Sequence, residues 1–197
     1  LVTIRAYPKL LLTDNATNPL TDFQRGALET IQKQCRQMED MVNQLIAFSS
    51  LDPEQLICQK ISYADLINEA LKLMPEDLAS KKSNIKLSQD LGKHAVHVDP
   101  TLTQHAMRNV IENAFKFGAK NLEIVAHADN GSVVISFKDN GPGIPPEDRE
   151  RVFERLCLVE EVFCGRVPGA GLGLTMVKQT VEAHGGKVWM ESEIGKG

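Results

Sequence analysis

Apolar positions recur with two different periods along the chain, and the period changes near residue 51. Leu28, Ile31, Cys35, Met38, Val42 and Leu45 fall three and four residues apart, the heptad spacing of helices that pack side by side. Thr21 or Asp22 is placed to cap that helix, which the pattern carries to about Ser50. Upstream, Leu1, Ile4, Leu11 and Leu12 share one helical face. Pro8 removes a backbone donor there and is expected to kink the helix. Asp14-Asn15-Ala16-Thr17-Asn18-Pro19, between the two helices, is turn chemistry. Two helices joined by a turn make a hairpin, and two hairpins make a four-helix bundle. The seam can be satisfied within one chain or between two.

Leu51-Asp52-Pro53-Glu54 breaks the helix, so a boundary is expected between a helical part at 1–52 and a second part at 53–197. Beyond it, short alternating runs around 57–61, 85–87, 95–98, 122–126, 133–137 and 187–190 predict strands. Helical patterns near 63–74, 99–117 and 171–184 separate them. Asp129-Asn130-Gly131 is a hairpin turn signal. The second part is therefore expected to be an α/β sandwich, one mixed sheet covered by helices on one face. The whole chain is then α+β, a helical hairpin followed by that sandwich. No internal repeat or low-complexity tract is visible.

Composition narrows the function. With 22 Lys and Arg against 26 Asp and Glu, the net charge is −4, which leaves no basic stripe for a nucleic acid. No apolar run approaches the roughly 18 residues of a membrane span, and no signal peptide is visible. Cys35, Cys58, Cys157 and Cys164 lack zinc-ligand spacing and disulfide-scaffold density, so reduced thiols in the cytoplasm are expected. Leu1 is not an initiator Met and helical periodicity is already running there, so the chain is expected to be a fragment.

Three segments carry the chemistry. Asn109, Asn113, Lys116 and Phe117 lie at i, i+4, i+7 and i+8, one face of a helix. Two mid-helix asparagines cost stability without structural gain, but an amide oxygen aimed at a hard cation gives them a use. A surface face that happens to hold two amides is the plain alternative. Asp139-Asn140-Gly141-Pro142-Gly143-Ile144 ends a strand. A carboxylate there can accept from the exocyclic amine of adenine, which guanine cannot offer, and Gly141 and Gly143 are expected to let the backbone approach and adopt positive φ. A plain turn is the alternative. Gly169-Ala170-Gly171-Leu172-Gly173-Leu174 opens a helix near Leu174, whose first N–H groups form an anion site. No Lys-Ser/Thr follows the glycines, which excludes a P-loop, and their spacing excludes a dinucleotide fingerprint. Residues 145–168 between them, with Pro145, Pro146, Gly165 and Pro168, have the length of a ligand lid. Arg155 and Arg166 are its candidates to meet phosphate oxygens, or else ordinary surface charges.

In this order the segments resemble the N box (109–117), G1 box (139–144), F box (around Phe153-Glu154) and G2 box (169–174) of the GHKL ATP-binding superfamily. Nearly the whole chain is similar to the catalytic half of a sensor histidine kinase. The resemblance implies a homodimer through the hairpin, ATP and Mg²⁺ as ligands, and a response-regulator receiver domain as partner. Any membrane attachment would come through segments outside this chain. It also implies Asn113 as Mg²⁺ ligand, Asn109 and Lys116 as catalytic groups at the phosphates, and Asp139 as adenine reader. Phe117, Gly141, Gly143, Ile144, Gly169, Gly171, Leu172 and Gly173 would complete the nucleotide site.

None of His94, His97, His105, His127 and His184 resembles the family's phosphoacceptor. The segment Leu1 to Tyr7 resembles the stretch just after that acceptor, which is therefore expected upstream. His184, before Gly185-Gly186, is expected to be structural, an imidazole suited to the helix dipole with a C-cap glycine after it. Gly195-Lys196-Gly197 resembles the start of the family's last glycine turn. Two features depart from the family. Cys157-Leu158 stands where an aromatic and a basic residue are common, and the lid is apolar at Leu156, Val159, Val162 and Phe163. Two rivals remain: a GHKL ATPase, in which a Glu stands four residues before the metal Asn where this chain has Asn109, and a non-catalytic ATP-binding signalling module.

Overall fold

The computed structural model describes residues 7, 8, 10–12, 20–49, 53–88, 95–129, 132–154 and 172–197. The chain forms two compact units, residues 1–50 and 51–197.

In the first unit a helix, α1, runs from Asp22 to Ser49. Its start is a capping box: the Thr21 hydroxyl accepts from Gln24 N at 3.2 Å, and Gln24 Oε1 accepts from Thr21 N at 3.0 Å. The heptad positions do not behave alike. Cys35 is 4% exposed, whereas Ile31, Met38 and Val42 are 44%, 52% and 40% exposed. A single chain thus covers only part of the seam. Residues 7, 8 and 10–12 are helical, with Pro8 buried. The expected apolar positions Leu1 and Ile4, and the turn 14–19, lie outside the described residues.

In the second unit β1 (Gln59–Ser62) leads into α2 (Tyr63–Lys72), and β2 (Ile85–Leu87) and β3 (Ala95–Val98) precede α3 (Pro100–Lys116). The hairpin of β4 (Leu122–Asp129) and β5 (Ser132–Asp139) follows, and α4 spans Gly173–Ala183. Hydrogen bonding divides the strands into two ladders. β1 pairs antiparallel with β3, while β4 is flanked by parallel β2 and antiparallel β5. In packing they form one apolar layer. Ile61, Val96 and Val98 from the first ladder and Ile85, Val133, Ile135 and Phe137 from the second lie against the same buried cluster, which includes Leu66, Ile67, Met107, Ile111, Leu122 and Ile124. The β4–β5 pairing extends to Asp129 opposite Ser132; Asn130 and Gly131 lie outside the described residues.

The strand expected at 187–190 does not form among the described residues. Burial alternates residue by residue from Lys187 to Ser192, so the sequence pattern is expressed. Alternation gives an extended segment one covered face, but a strand also needs a hydrogen-bonded neighbour, and none is described.

Each helix that frames the site has defined ends. Ser62 Oγ caps α2 by accepting from Asp65 N at 3.1 Å, and Tyr63, Leu66, Ile67 and Ala70 fill the buried stripe. Asp99 caps α3 with Pro100 in the first turn, Oδ1 accepting from Leu102 N at 3.1 Å. Beyond Lys116, Gly118 adopts φ 97°. Its N–H donates to Phe115 O at 3.2 Å and that of Ala119 to Ala114 O at 3.0 Å, a Schellman ending. α4 closes in the same way through Gly185 (φ 74°) and Gly186, whose N–H donates to Val181 O at 2.9 Å.

Candidate functional site

α3 and α4 pack antiparallel, and the contact between them joins two of the three chemical segments. Asn109 is 7% exposed, in the middle of α3, and its Nδ2 approaches Gly173 O at 3.5 Å. A Cβ built on Gly173 would lie 3.5 Å from Asn113 Nδ2, 3.8 Å from Asn113 Oδ1 and 3.9 Å from Asn109 Cβ. Both amides therefore face the start of α4, so the face they share is not an incidental surface one. Leu172, buried, is the residue before the helix, and no side chain caps its first turn. No acidic side chain lies in that turn either, which leaves its N–H groups suited to an anion.

Lys116 stands one helical turn beyond Asn113, its Nζ 6.0 Å from the centroid of the Phe117 ring. Burial holds its ammonium below the ordinary lysine range, and the Glu112 carboxylate opposes that shift. Glu112 itself is bound at 2.6 Å by Arg108, one turn earlier.

The third segment follows β5. Asp139 Oδ1 accepts from Gly141 N at 2.7 Å, an arrangement that aims the carboxylate back over its own turn. Asn140 Oδ1 accepts from both Lys120 N and Asn121 N, each at 2.8 Å, tying the turn to the segment that leaves α3. The two glycines serve different ends. Gly143 has φ 75°, and a Cβ there would overlap the Glu193 carbonyl. Gly141 is outside the left-handed region, contrary to the positive φ expected for it. Its constraint is contact: a Cβ would sit 2.7 Å from Asp139 Oδ1 and 3.8 Å from Ala119 N. Ile144 N donates to Ser192 Oγ at 2.8 Å, and Gly195 N to Pro142 O at 2.7 Å, so residues 192–195 brace the turn.

Gly169, Gly171, Arg155, Arg166, Cys157, Cys164 and the apolar lid positions lie outside the described residues, as does His94. At the near edge of that segment, Thr175 Oγ1 donates to Glu154 O at 2.8 Å, so α4 holds the F-box end in place. Sequence reasoning missed Ser192 and the bridging role of Asn140. An Asn at a strand end is a legible Asx signal, but Ser192 is 48 residues from the N–H it satisfies, and nothing local marks it.

An amide-bearing helix set against an uncapped helix start, with a carboxylate-glycine turn tied to the segment that leaves that helix, is the set of parts a nucleotide-binding domain of the GHKL class carries. The family model of histidine kinase-, DNA gyrase B- and HSP90-like ATPases matches residues 98–197, and that of the His kinase A phospho-acceptor domain matches residues 1–54. The chain belongs to this ATPase family, in the two-domain arrangement of sensor histidine kinases. It is 30% identical over its whole length to the sensor histidine kinase WalK of Bacillus subtilis, of which it covers 33%. Its fold matches that of full-length ShkA in complex with AMPPNP, with a TM-score of 0.74 and 24% identity over 99% of this chain and 41% of that one. The ATP-binding domain of PrrB from Mycobacterium tuberculosis matches 68% of this chain and 86% of its own, with a TM-score of 0.52 and 27% identity. The chain spans about two-fifths or less of the length of the curated relatives it matches. Among the described residues no helix is long and apolar enough to cross a membrane.

Proposed function

We propose that this chain binds Mg-ATP and carries its γ-phosphoryl group to a histidine of the phospho-acceptor module, from which it passes to an aspartate of a response-regulator receiver domain. The observation that carries the reading is the seating of Asn109 and Asn113 against Gly173 at the uncapped start of α4. Phosphoryl transfer relies on positioning and electrostatics more than on covalent chemistry by the protein. In this reading the α4 N–H groups and Lys116 hold phosphate oxygens, and Asp139 accepts from the adenine amine. Gly141, Gly143, Ile144 and Phe117 shape the base side, and Gly169, Gly171, Leu172 and Gly173 the phosphate side. Asn109 holds Gly173 and the phosphates in register.

The donor set suits Mg²⁺. Among the described residues no three His, Cys, Asp or Glu side chains gather into a cage, whereas Mg²⁺ is served by one or two protein oxygens plus substrate phosphates. Asn113 Oδ1 would hold it, and the ion would supply neutralisation of phosphate charge. Residues 1–52 act as the dimerisation and phosphotransfer part and 53–197 as the ATP-binding part. The exposed Ile31, Met38 and Val42 pair with a second copy to complete a four-helix bundle. A cytoplasmic place of action fits the ATP substrate, with any membrane anchor in other segments.

Calorimetric titration tests the reading. The chain is expected to bind ATP in Mg²⁺, Asn113→Ala to remove the Mg²⁺-dependent part of the affinity, and Asp139→Asn to weaken binding about ten- to a hundred-fold. With γ-labelled ATP, the longer protein containing these residues should acquire acid-labile, base-stable label. Absence of ATP binding refutes the proposal. Steady phosphate release that is lost in Asn109→Ala makes the protein an ATPase, and binding without label makes it a non-catalytic module.

A further inference from the structure

The remote end of the α3–α4 pair holds a second, tighter connection. His184, at the C-cap of α4, lies opposite Asp99, the N-cap of α3. Its Nε2 accepts from Asp99 N at 2.8 Å, and its Nδ1 meets Thr180 O at 2.7 Å. A carbonyl requires a donor and a backbone N–H requires an acceptor, so these partners fix the proton on Nδ1 and leave the Nε2 lone pair facing Asp99. The imidazole thus serves more than the helix dipole at its end. Asp99 is itself rigidly held. Oδ1 accepts from Leu102 N, Oδ2 from Ile57 N at 3.1 Å, and its carbonyl accepts from Thr103 Oγ1 at 2.7 Å.

α4 is therefore joined to α3 at both of its ends, with unequal strength. At the site end, Asn109 reaches Gly173 O at 3.5 Å, near the limit of a hydrogen bond. At the remote end the bond is short and its acceptor ring is fixed on both nitrogens. A helix is stiff along its axis, and α4 has 11 residues, so His184 sits roughly 16 Å from Gly173 along a rigid rod. Displacement of one end is transmitted to the other. A Cβ at Gly173 would be in ordinary contact with the Asn113 amide (3.5 and 3.8 Å) and the Asn109 Cβ (3.9 Å), so a slide of α4 along α3 changes the spacing between the start of α4 and those two side chains. The Asp139 turn is bound instead to residues 120, 121 and 192–195.

We propose that His184 is a positioning residue for the triphosphate: by accepting from Asp99 N–H it sets the axial register of α4 on α3, and with it the anion site at Gly173. The inference rests on the reading of the site as ATP-binding. It separates two parts of one ligand, because the phosphates depend on α4 and the adenine depends on the Asp139 turn.

The test compares ATP with adenosine on the folded chain, by calorimetry for ATP and by NMR titration for adenosine. His184→Leu is expected to lower ATP affinity about tenfold while leaving adenosine affinity unchanged. His184→Gln, whose Oε1 can accept from Asp99 N–H, should restore most of the ATP affinity. Equal losses for ATP and adenosine, an unchanged ATP affinity, or a Gln variant as weak as Leu would overturn the inference. A wild-type measurement guards against a misfolded variant. Coupling is reciprocal, so ATP should slow hydrogen exchange at the Asp99 amide and adenosine should not; equal protection by both ligands, or by neither, also overturns it. A wild-type chain that binds no ATP would instead remove the underlying functional reading.

Discussion

Replacing each glycine of the 139–144 turn by alanine should separate the site from the fold. In Gly141→Ala the new Cβ lies 2.7 Å from Asp139 Oδ1, the end of a short side chain that can rotate away. Its rotation breaks the 2.7 Å bond from Gly141 N and turns the carboxylate from its aim. The loss of a charge-assisted hydrogen bond to the base is about 1.5–3 kcal/mol, or roughly ten- to a hundred-fold in ATP affinity. In Gly143→Ala the φ of 75° costs an L-residue about 1–2 kcal/mol. The Cβ also meets the Glu193 carbonyl, which belongs to backbone and cannot rotate aside. Moving that segment breaks the Gly195–Pro142 and Ile144–Ser192 bonds, about 1 kcal/mol each. The sum is about 3–4 kcal/mol of stability, near 10 °C in melting temperature for a unit of this size. Thermal melts and ATP calorimetry on both variants decide the matter. A Gly141→Ala protein with wild-type affinity, or a Gly143→Ala protein that melts with the wild type, refutes the reasoning.

Three further outcomes are expected. Tyr63 is 1% exposed and its hydroxyl has no hydrogen-bond partner among the described residues, so Tyr63→Phe should stabilise the chain by about 1 kcal/mol in urea unfolding; a loss of stability would show that the hydroxyl is satisfied. Burial raises that phenol from 10.0 to about 12, so its contribution is full below pH 10 and falls as pH climbs towards 12, a decline that Tyr63→Phe should lack. Asn140→Ala removes the acceptor shared by two exposed backbone N–H groups, which water can then serve, and should cost about 1 kcal/mol, whereas Asn140→Asp, which keeps an acceptor, should cost less; equal costs would argue against the bridge. Charged residues at Ile31 and Val42 should give monomers by light scattering with ATP binding intact, because a charge buried without a partner is strongly unfavourable; a wild-type chain already monomeric at high micromolar concentration refutes the paired seam.

The reach of each interaction along the chain decides whether the sequence reveals it. Helices α2, α3 and α4 announced themselves because their apolar period is local, and the structure shows that their ends are local too. Ser62, Asp99 and Gly185 mark ends within three residues of the groups they satisfy. Asn109 and Asn113 were legible as a shared face for the same reason. The segment at 187–190 misled because alternation reports one covered face and says nothing about a ladder partner. Gly141 misled because a glycine in a turn suggests positive φ, while its actual constraint is the Asp139 carboxylate two residues back. The bonds from Ile144 to Ser192 and from Asp99 to His184 span 48 and 85 residues. Pairings at that separation leave no local trace, so the braces of the site were invisible while its chemical groups were not.

The position of Asn109 bears on transfer against hydrolysis. A hydrolase needs a base within hydrogen-bond reach of the attacking water. The side chain at this position is an amide, largely buried, and its Nδ2 points at the Gly173 carbonyl. An amide oxygen does not accept a proton near neutral pH, so this residue can orient but not deprotonate. Glu112 is the nearest carboxylate along the helix, and it is engaged by Arg108 Nε at 2.6 Å. With an amide and no base at this position, the proposed reading calls for a nucleophile that needs none. An imidazole nitrogen with a free lone pair meets that requirement, whereas water does not. The amide that stands at Asn109 is therefore in keeping with the proposed reading: it can orient groups at the start of α4, and it leaves the γ-phosphoryl group to be taken by a histidine.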